Sequence, residues 1–195
     1  FPMLMNDVCD LMSLYKARLN AAENAFMRNS GVEELEYVQS PSDFFAICSI
    51  LSAQQKALAI EKFVTEAFDG EHVPSKANRG DFRVGDIFYE SKMSTTNAKR
   101  IMNIRQIRLY QQVDYYVCGY IDELDLEESK CFILTKDEMS REVDLHGSFT
   151  HGTKTENAIR SNSEYSISIA IGSAMMARWE EDYFCEKLYK ALIAG

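Results

Sequence analysis

The sequence predicts an α/β domain, and three observations carry that reading. Segments with apolar residues at helical spacing occupy both ends of the chain. Segments with strand-like alternation, or with a continuous apolar run, lie between them. Three prolines and nine glycines in 195 residues leave room for long uninterrupted elements. Helices at the ends with strands between them fold as an α/β or α+β sandwich, a sheet covered by helices. With 46% hydrophobic and 26% charged residues the chain can bury a real core. No linker or repeat divides it, so residues 1–195 read as one domain.

The elements follow in order. Residues 3–27 place Leu4, Val8, Leu11, Tyr15, Leu19 and Phe26 at helical spacing, and the pattern ends near Ser30-Gly31. Ser40-Pro41-Ser42-Asp43 opens a second helix through Leu51. Residues 54–68 give a third, stopped by Asp69-Gly70, so residues 1–70 form a helical N-terminal part. Residues 81–92 change period and read as a β-hairpin. Residues 97–111 return to a helical pattern. Residues 113–121 form a continuous apolar and aromatic run, which suits a buried strand. Residues 130–134 are a further short strand, and Thr135-Lys136-Asp137-Glu138 opens a short helix. Residues 146–163 are a polar loop, residues 165–171 alternate like a strand, and residues 175–193 close the chain as an amphipathic helix around Trp179. That last apolar stripe reads as core or dimer contact.

Composition narrows the chemistry. No run of about 18 apolar residues exists to span a membrane. The N-terminal Phe1-Pro2-Met3-Leu4-Met5 enters a helical pattern without a basic region or cleavage signal, so no targeting segment is expected. The five cysteines are scattered and lack CxxC spacing, which points to a reduced, intracellular protein without a zinc site. The net charge of -9 argues at first against a nucleic-acid partner. It is unevenly spread, however. Residues 76–112 hold eight basic residues against three acidic, a net of +5, leaving -14 on the rest. One basic surface on an acidic body is the expectation.

The hairpin carries the chemistry. Gly85-Asp86 suits a type II′ turn, which sets Val84 opposite Ile87, Arg83 opposite Phe88, Phe82 opposite Tyr89 and Asp81 opposite Glu90. Phe82, Val84, Ile87 and Tyr89 then face the core, and Asp81, Glu90 and Lys92 share the other face. Two carboxylates at roughly 5 Å between Cβ atoms repel, so a cation belongs between them. A hard divalent ion such as Mg²⁺ fits, with the Ser91 carbonyl as a further ligand. Lys92, about 6.6 Å beyond Glu90 on the same face, lies where it orients or helps deprotonate metal-bound water. Asp86, about 13 Å from Glu90 along the strand, is too far to share the ion.

Gly80-Asp81 followed by Glu90-Ser91-Lys92 resembles the Asp…Glu-x-Lys motif of the PD-(D/E)xK nuclease superfamily. The segment Gln106-Ile107-Arg108-Leu109-Tyr110 and then Val113-Asp114-Tyr115-Tyr116-Val117 is similar to the helix and strand that follow the motif in type II restriction endonucleases. Gln106-x-x-x-Tyr110 resembles a motif of RecB-like nucleases. The pattern departs at Gly80, where a proline is frequent. The resemblance spans roughly residues 54–180. It implies a restriction-endonuclease-like core, a mixed sheet flanked by helices with residues 76–135 as the catalytic part. It also implies Mg²⁺-dependent hydrolysis of double-stranded DNA by a prokaryotic cytoplasmic homodimer, with Mn²⁺ able to substitute.

In this reading Asp81, Glu90 and Lys92 are catalytic. Asp81, Glu90, Ser91 and Glu61, from the preceding helix, hold metal, with Glu66 as a second choice for the helical glutamate. DNA contacts are expected from Asn97, Lys99, Arg100, Asn103, Arg105, Gln106 and Arg108 on the helix of residues 97–111. Arg105 lies off the face of the others and equally suits an ion pair. Within the loop of residues 146–163, His146, His151, Lys154 and Asn157 suit base reading in a groove. The two histidines lack a carboxylate or cysteine at helpful spacing, so they are not expected to bind metal. A structure-selective repair nuclease of the same fold and a catalytically silent DNA-binding module are the alternatives.

Overall fold

The computed structural model describes Pro41, Phe45, Cys48, Leu51 and residues 53–74, 78–149 and 164–194. The expected first helix, most of the second, and residues 150–163 with His151, Lys154 and Asn157 lie outside the described residues.

Helix α1 (Ala53–Ala67) buries Ala59, Ile60, Phe63 and Val64 on one face. It stops where expected, because Asp69 takes a left-handed φ of 55° and the Gly70 N–H returns to the Thr65 carbonyl. The chain then forms β1 (Glu71–His72), β2 (Phe82–Val84) and β3 (Ile87–Thr95) as an antiparallel run. The hairpin register is the expected one for three pairs: Val84 with Ile87, Arg83 with Phe88 and Phe82 with Tyr89. Of the two turn residues only Gly85 has positive φ, as a type II′ turn requires. The Phe82 and Tyr89 rings stack at 4.9 Å, and Phe68 of the α1 terminus packs on both, so the hairpin is anchored to the helix.

β5 (Tyr115–Ile121) lies parallel to β3, and β6 (Lys130–Thr135) pairs antiparallel with β5, giving the five-stranded mixed sheet β1-β2-β3-β5-β6. β5 is buried on both faces, which accounts for its unbroken apolar sequence. Tyr115, Val117 and Ile121 face α1 and the C-terminal helix, whereas Tyr116, Cys118 and Tyr120 face a second core. That second core is roofed by a three-stranded antiparallel sheet, β4 (Ile101–Ile107), β8 (Tyr165–Ala170) and β7 (Ser148–Phe149), with α2 (Lys136–His146) and α3 (Ala174–Asp182). The protein is thus α/β, with a mixed central sheet flanked by helices. Among the described residues no helix is long and apolar enough to cross a membrane. Cys48, Cys118, Cys131 and Cys185 are free and buried.

Two expectations need correction. The helix expected over residues 97–111 is a turn followed by strand β4. The misleading feature is the spacing of Ile101, Ile104 and Ile107, three residues apart. A β-bulge produces its second step: Ile104 pairs with Ile167 and Ile107 with Tyr165, so β4 carries one extra residue between these two buried side chains. Ile101 to Ile104 is regular strand. The closing helix expected over residues 175–193 is two helices, α3 and α4 (Glu186–Ile193). They are parted because Phe184 bridges to Phe132. The Ile133 N–H reaches the Tyr183 carbonyl and the Cys185 N–H the Cys131 carbonyl, so this segment covers the outer edge of β6. The helix expected at Thr135 is α2, with a full capping box between Thr135 and Glu138. Trp179 is fully buried within the chain, in T-shaped contact with Phe132.

Candidate active site at the open edge of β3

Regular β2 pairing ends at Phe82, while β3 runs on to Thr95, so residues 90–95 have no partner strand on that side among the described residues. A cavity of about 370 Å³ opens there. Its lining includes Glu61 from α1, Asp81 from the residue before β2, Ser91 and Lys92 from β3, and Asn103, Arg105 and Gln106 from β4.

Asp81 reaches the cavity by a different route from the simple register. It does not sit opposite Glu90 in the ladder. Its N–H donates to the Tyr89 carbonyl at 2.8 Å, and its carboxylate accepts the Ser91 N–H at 2.8 Å, so the side chain occupies the place of a missing strand. Gly80 makes this turn possible. Its φ is +80°, which proline cannot adopt, and a Cβ there would stand 2.3 Å from the Tyr89 carbonyl oxygen. Gly80→Ala is therefore expected to cost about 2 kcal/mol or more, read as a lower urea midpoint. An unchanged midpoint would mean that this backbone is not held as described.

Glu90 is 3% exposed and lies behind the cavity wall rather than in it. Its Oε1 accepts from Lys92 Nζ at 2.5 Å and its Oε2 from the buried Gln111 amide at 3.4 Å. Burial raises the Glu90 pKa above the ordinary carboxylate range, with Lys92 opposing and Asp81 adding to the rise. Glu61, beside His72 at 3.5 Å, is pushed up to about 7 by burial first and then by the charges of Asp81 and Glu90, against the pull of Lys92. Three carboxylates thus crowd around the Lys92 ammonium, and the crowding favours the protonated forms of Glu61 and Glu90.

The remaining expected residues divide. Asn97 clasps the β3–β4 turn, its side chain bonded to both the N–H and carbonyl of Ile101. Lys99 and Arg100 lie in that turn, exposed. Asn103 lines the cavity and accepts a hydrogen bond from Ser168. Arg108 is bound to Glu164 at 2.8 Å. His146 ends α2 and does not line the cavity, and neither does Glu66. Gln106 and Tyr110 are not on a helix, so their spacing does not place them on a shared face. Of the basic residues between 76 and 112, Arg83 pairs with Glu71, Lys92 with Glu90 and Arg108 with Glu164, while Arg79 lies over the Phe88 ring. The net charge of that segment therefore overstates its free cations.

Sequence reasoning missed Gln111. It sits between β4 and β5, outside any motif, and only the folded chain brings its amide to Glu90.

No protein-family model matches this chain, and no curated protein matches it.

Proposed function

We propose that this protein is a Mg²⁺-dependent endonuclease that hydrolyses phosphodiester bonds in double-stranded DNA, of type II restriction character. One observation carries the reading: Glu61, Asp81, Ser91 and Lys92, expected as a set from the hairpin and the helix before it, line one cavity from three separate elements. The order of helix, hairpin and a strand parallel to β3 supports a restriction-endonuclease-like core. The crossover from β3 to β5 through a strand instead of a helix departs from that pattern.

The donor set suits a hard cation. The cavity offers the carboxylates of Glu61 and Asp81 and, at Ser91, the strand backbone, and the charges of Asp81 and Glu90 crowd Glu61. Among the described residues no cluster of three or more His, Cys, Asp or Glu side chains stands ready for a metal. Mg²⁺ asks for less, usually one or two carboxylates together with water and substrate phosphate. When bound, Mg²⁺ (or Mn²⁺) supplies Lewis acidity and a water of lowered pKa. Asp81 and Glu61 would hold it, and Glu90 would join them through the oxygen that now accepts from Gln111, keeping Lys92 on the other. Lys92, aimed by Glu90, positions the attacking water and offsets charge on the phosphorane. Cutting both strands of a duplex favours a symmetric dimer.

Incubation with long phage DNA, with and without Mg²⁺, tests the reading. Discrete fragments that need the metal are expected. Cleavage only at branched or gapped junctions would instead make this a structure-selective repair nuclease. Intact DNA in both Mg²⁺ and Mn²⁺ would sink the hydrolase reading and leave a binding module.

A further inference from the structure

β4 does not run straight past the cavity. A regular strand that buries Met102 and Ile104 would bury residue 106 next and expose residue 107. The bulge inverts that order. Ile107 is fully buried, and Arg105 and Gln106 are both exposed, side by side, in the cavity wall. Gln106 absorbs the extra residue with a left-handed φ of 55°. Glutamine has no local hydrogen bond to favour that region, as asparagine or aspartate has, so the conformation is strained. Strain of this kind persists where the surrounding fold enforces it, and bulges beside functional sites re-aim side chains.

Arg105 is also chemically distinct from its neighbours. Arg83, Lys92 and Arg108 each hold a carboxylate within 3.1 Å. Arg105 has no ion-pair partner among the described residues, although it shares a cavity with Glu61 and Asp81. The cavity is therefore two-sided, with carboxylates from α1 and the start of β2, and Lys92 and Arg105 from β3 and β4. A guanidinium held open in this way is a fork for an oxyanion such as phosphate.

We propose that the β4 bulge is a phosphate subsite, in which Arg105 grips a backbone phosphate of the nucleic-acid strand whose scissile bond lies at Asp81 and Lys92. The inference rests on the hydrolase reading above and deepens it by assigning one wall of the cavity to the substrate backbone. Gln106 is the residue whose strained backbone presents Arg105, and its amide extends the same polar wall.

Binding of a fluorescein-labelled DNA duplex, followed by anisotropy without divalent metal as salt is raised, tests the subsite separately from cleavage. Arg105→Gln is expected to weaken binding about tenfold and to reduce the slope of log Kd against log salt by about one. Its melting temperature should match wild type, because the side chain is exposed and has no ion-pair partner among the described residues. Arg105→Lys should restore the slope but not the full affinity. Gln106→Gly relieves the left-handed backbone, so Tm is expected to rise by about 2–4 °C while binding weakens.

An Arg105→Gln variant with wild-type affinity and slope overturns the subsite, even if wild type cleaves DNA. Arg105-dependent binding by a protein that never cleaves upholds the subsite and removes the hydrolase reading. A wild-type protein that binds neither duplex nor single strand overturns both.

Discussion

Asp81→Asn is expected to lower Mg²⁺-dependent cleavage on the order of 10³-fold or more, the several kcal/mol that a metal ligand contributes to transition-state stabilisation. The same variant should not lose thermal stability at pH 8. Asparagine keeps a side-chain oxygen for the Ser91 N–H, which Asp81 accepts at 2.8 Å, and removes one charge from a crowded acidic site. The sign follows from Glu61. Its folded pKa is raised to about 7, above its unfolded value, so its ionised form opposes folding. That penalty is absent below the ordinary carboxylate pKa, grows as pH rises, and is fully present above about 7. Neutralising Asp81 relieves part of it, and Mg²⁺ binding relieves it in wild type. Tm measured from pH 5 to 8, with and without Mg²⁺, reads both effects. Full cleavage by Asp81→Asn would remove Asp81 from the site. A large loss of Tm would show instead that its charge is structural.

Lys92→Ala is a less clean probe than its place in the motif suggests. It should abolish cleavage too, but it also strips the partner from a carboxylate that is 3% exposed. Loss of activity there mixes chemistry with packing, whereas Asp81→Asn separates them.

The hairpin was legible because its information is local. Alternation of Phe82, Val84, Ile87 and Tyr89 about Gly85-Asp86 fixes the register, since a two-residue turn admits few alternatives. It places Phe82 and Tyr89 in the core, whereas Ile87, beside the turn, is 41% exposed and not the core residue expected. The pairing of Asp81 with Glu90 was not legible. Gly80 leaves the ladder with φ +80°, and nothing in residue order says that the Asp81 carboxylate will cap the Ser91 amide. β4 was misread for a physical reason: its bulge sets the buried Ile104 and Ile107 three residues apart, the spacing of a helix. The error reached function. On a helix, Arg100 and Arg108 would share a face and Arg105 would lie apart. On the bulged strand Arg105 enters the cavity, Arg108 is tied to Glu164, and Arg100 turns the chain with φ 48°. The break between α3 and α4 likewise depends on a distant strand edge, which periodicity within residues 175–193 does not contain.

Glu142→Ala should strongly destabilise the second core, by about 3 kcal/mol, or a fall in Tm of about 6–12 °C. Glu142 lies on α2 and is 2% exposed, yet every part of its carboxylate is used. Arg178 donates to both oxygens at 2.8 and 2.6 Å, Trp179 Nε1 to one at 3.0 Å, and the Tyr183 hydroxyl to the other at 2.8 Å. Alanine would orphan the indole N–H of a fully buried tryptophan and leave a cavity between α2 and α3. Arg178 is about a third exposed and can turn to water, which keeps the cost near the lower end for a broken buried pair. The pH dependence distinguishes this network from packing alone. Burial pushes the Glu142 pKa up, but the hydrogen bonds from Arg178, Tyr183 and Trp179 and the guanidinium charge outweigh it, and the net shift is downward. A carboxylate depressed in the folded state stabilises fully above its unfolded pKa of about 4.3 and loses that contribution as pH falls through the folded value. Glu142→Gln keeps the shape without the charge. The Tm gap between it and wild type should therefore be widest at pH 6–7 and shrink on acidification below about pH 4. A gap that stays constant from pH 7 to 3 would assign the stabilisation to shape and not to charge. The same carboxylate chemistry thus works in opposite senses at the two ends of this protein. Satisfied by four donors, Glu142 stabilises the fold, whereas Glu61, crowded by Asp81 and Glu90, opposes it when ionised.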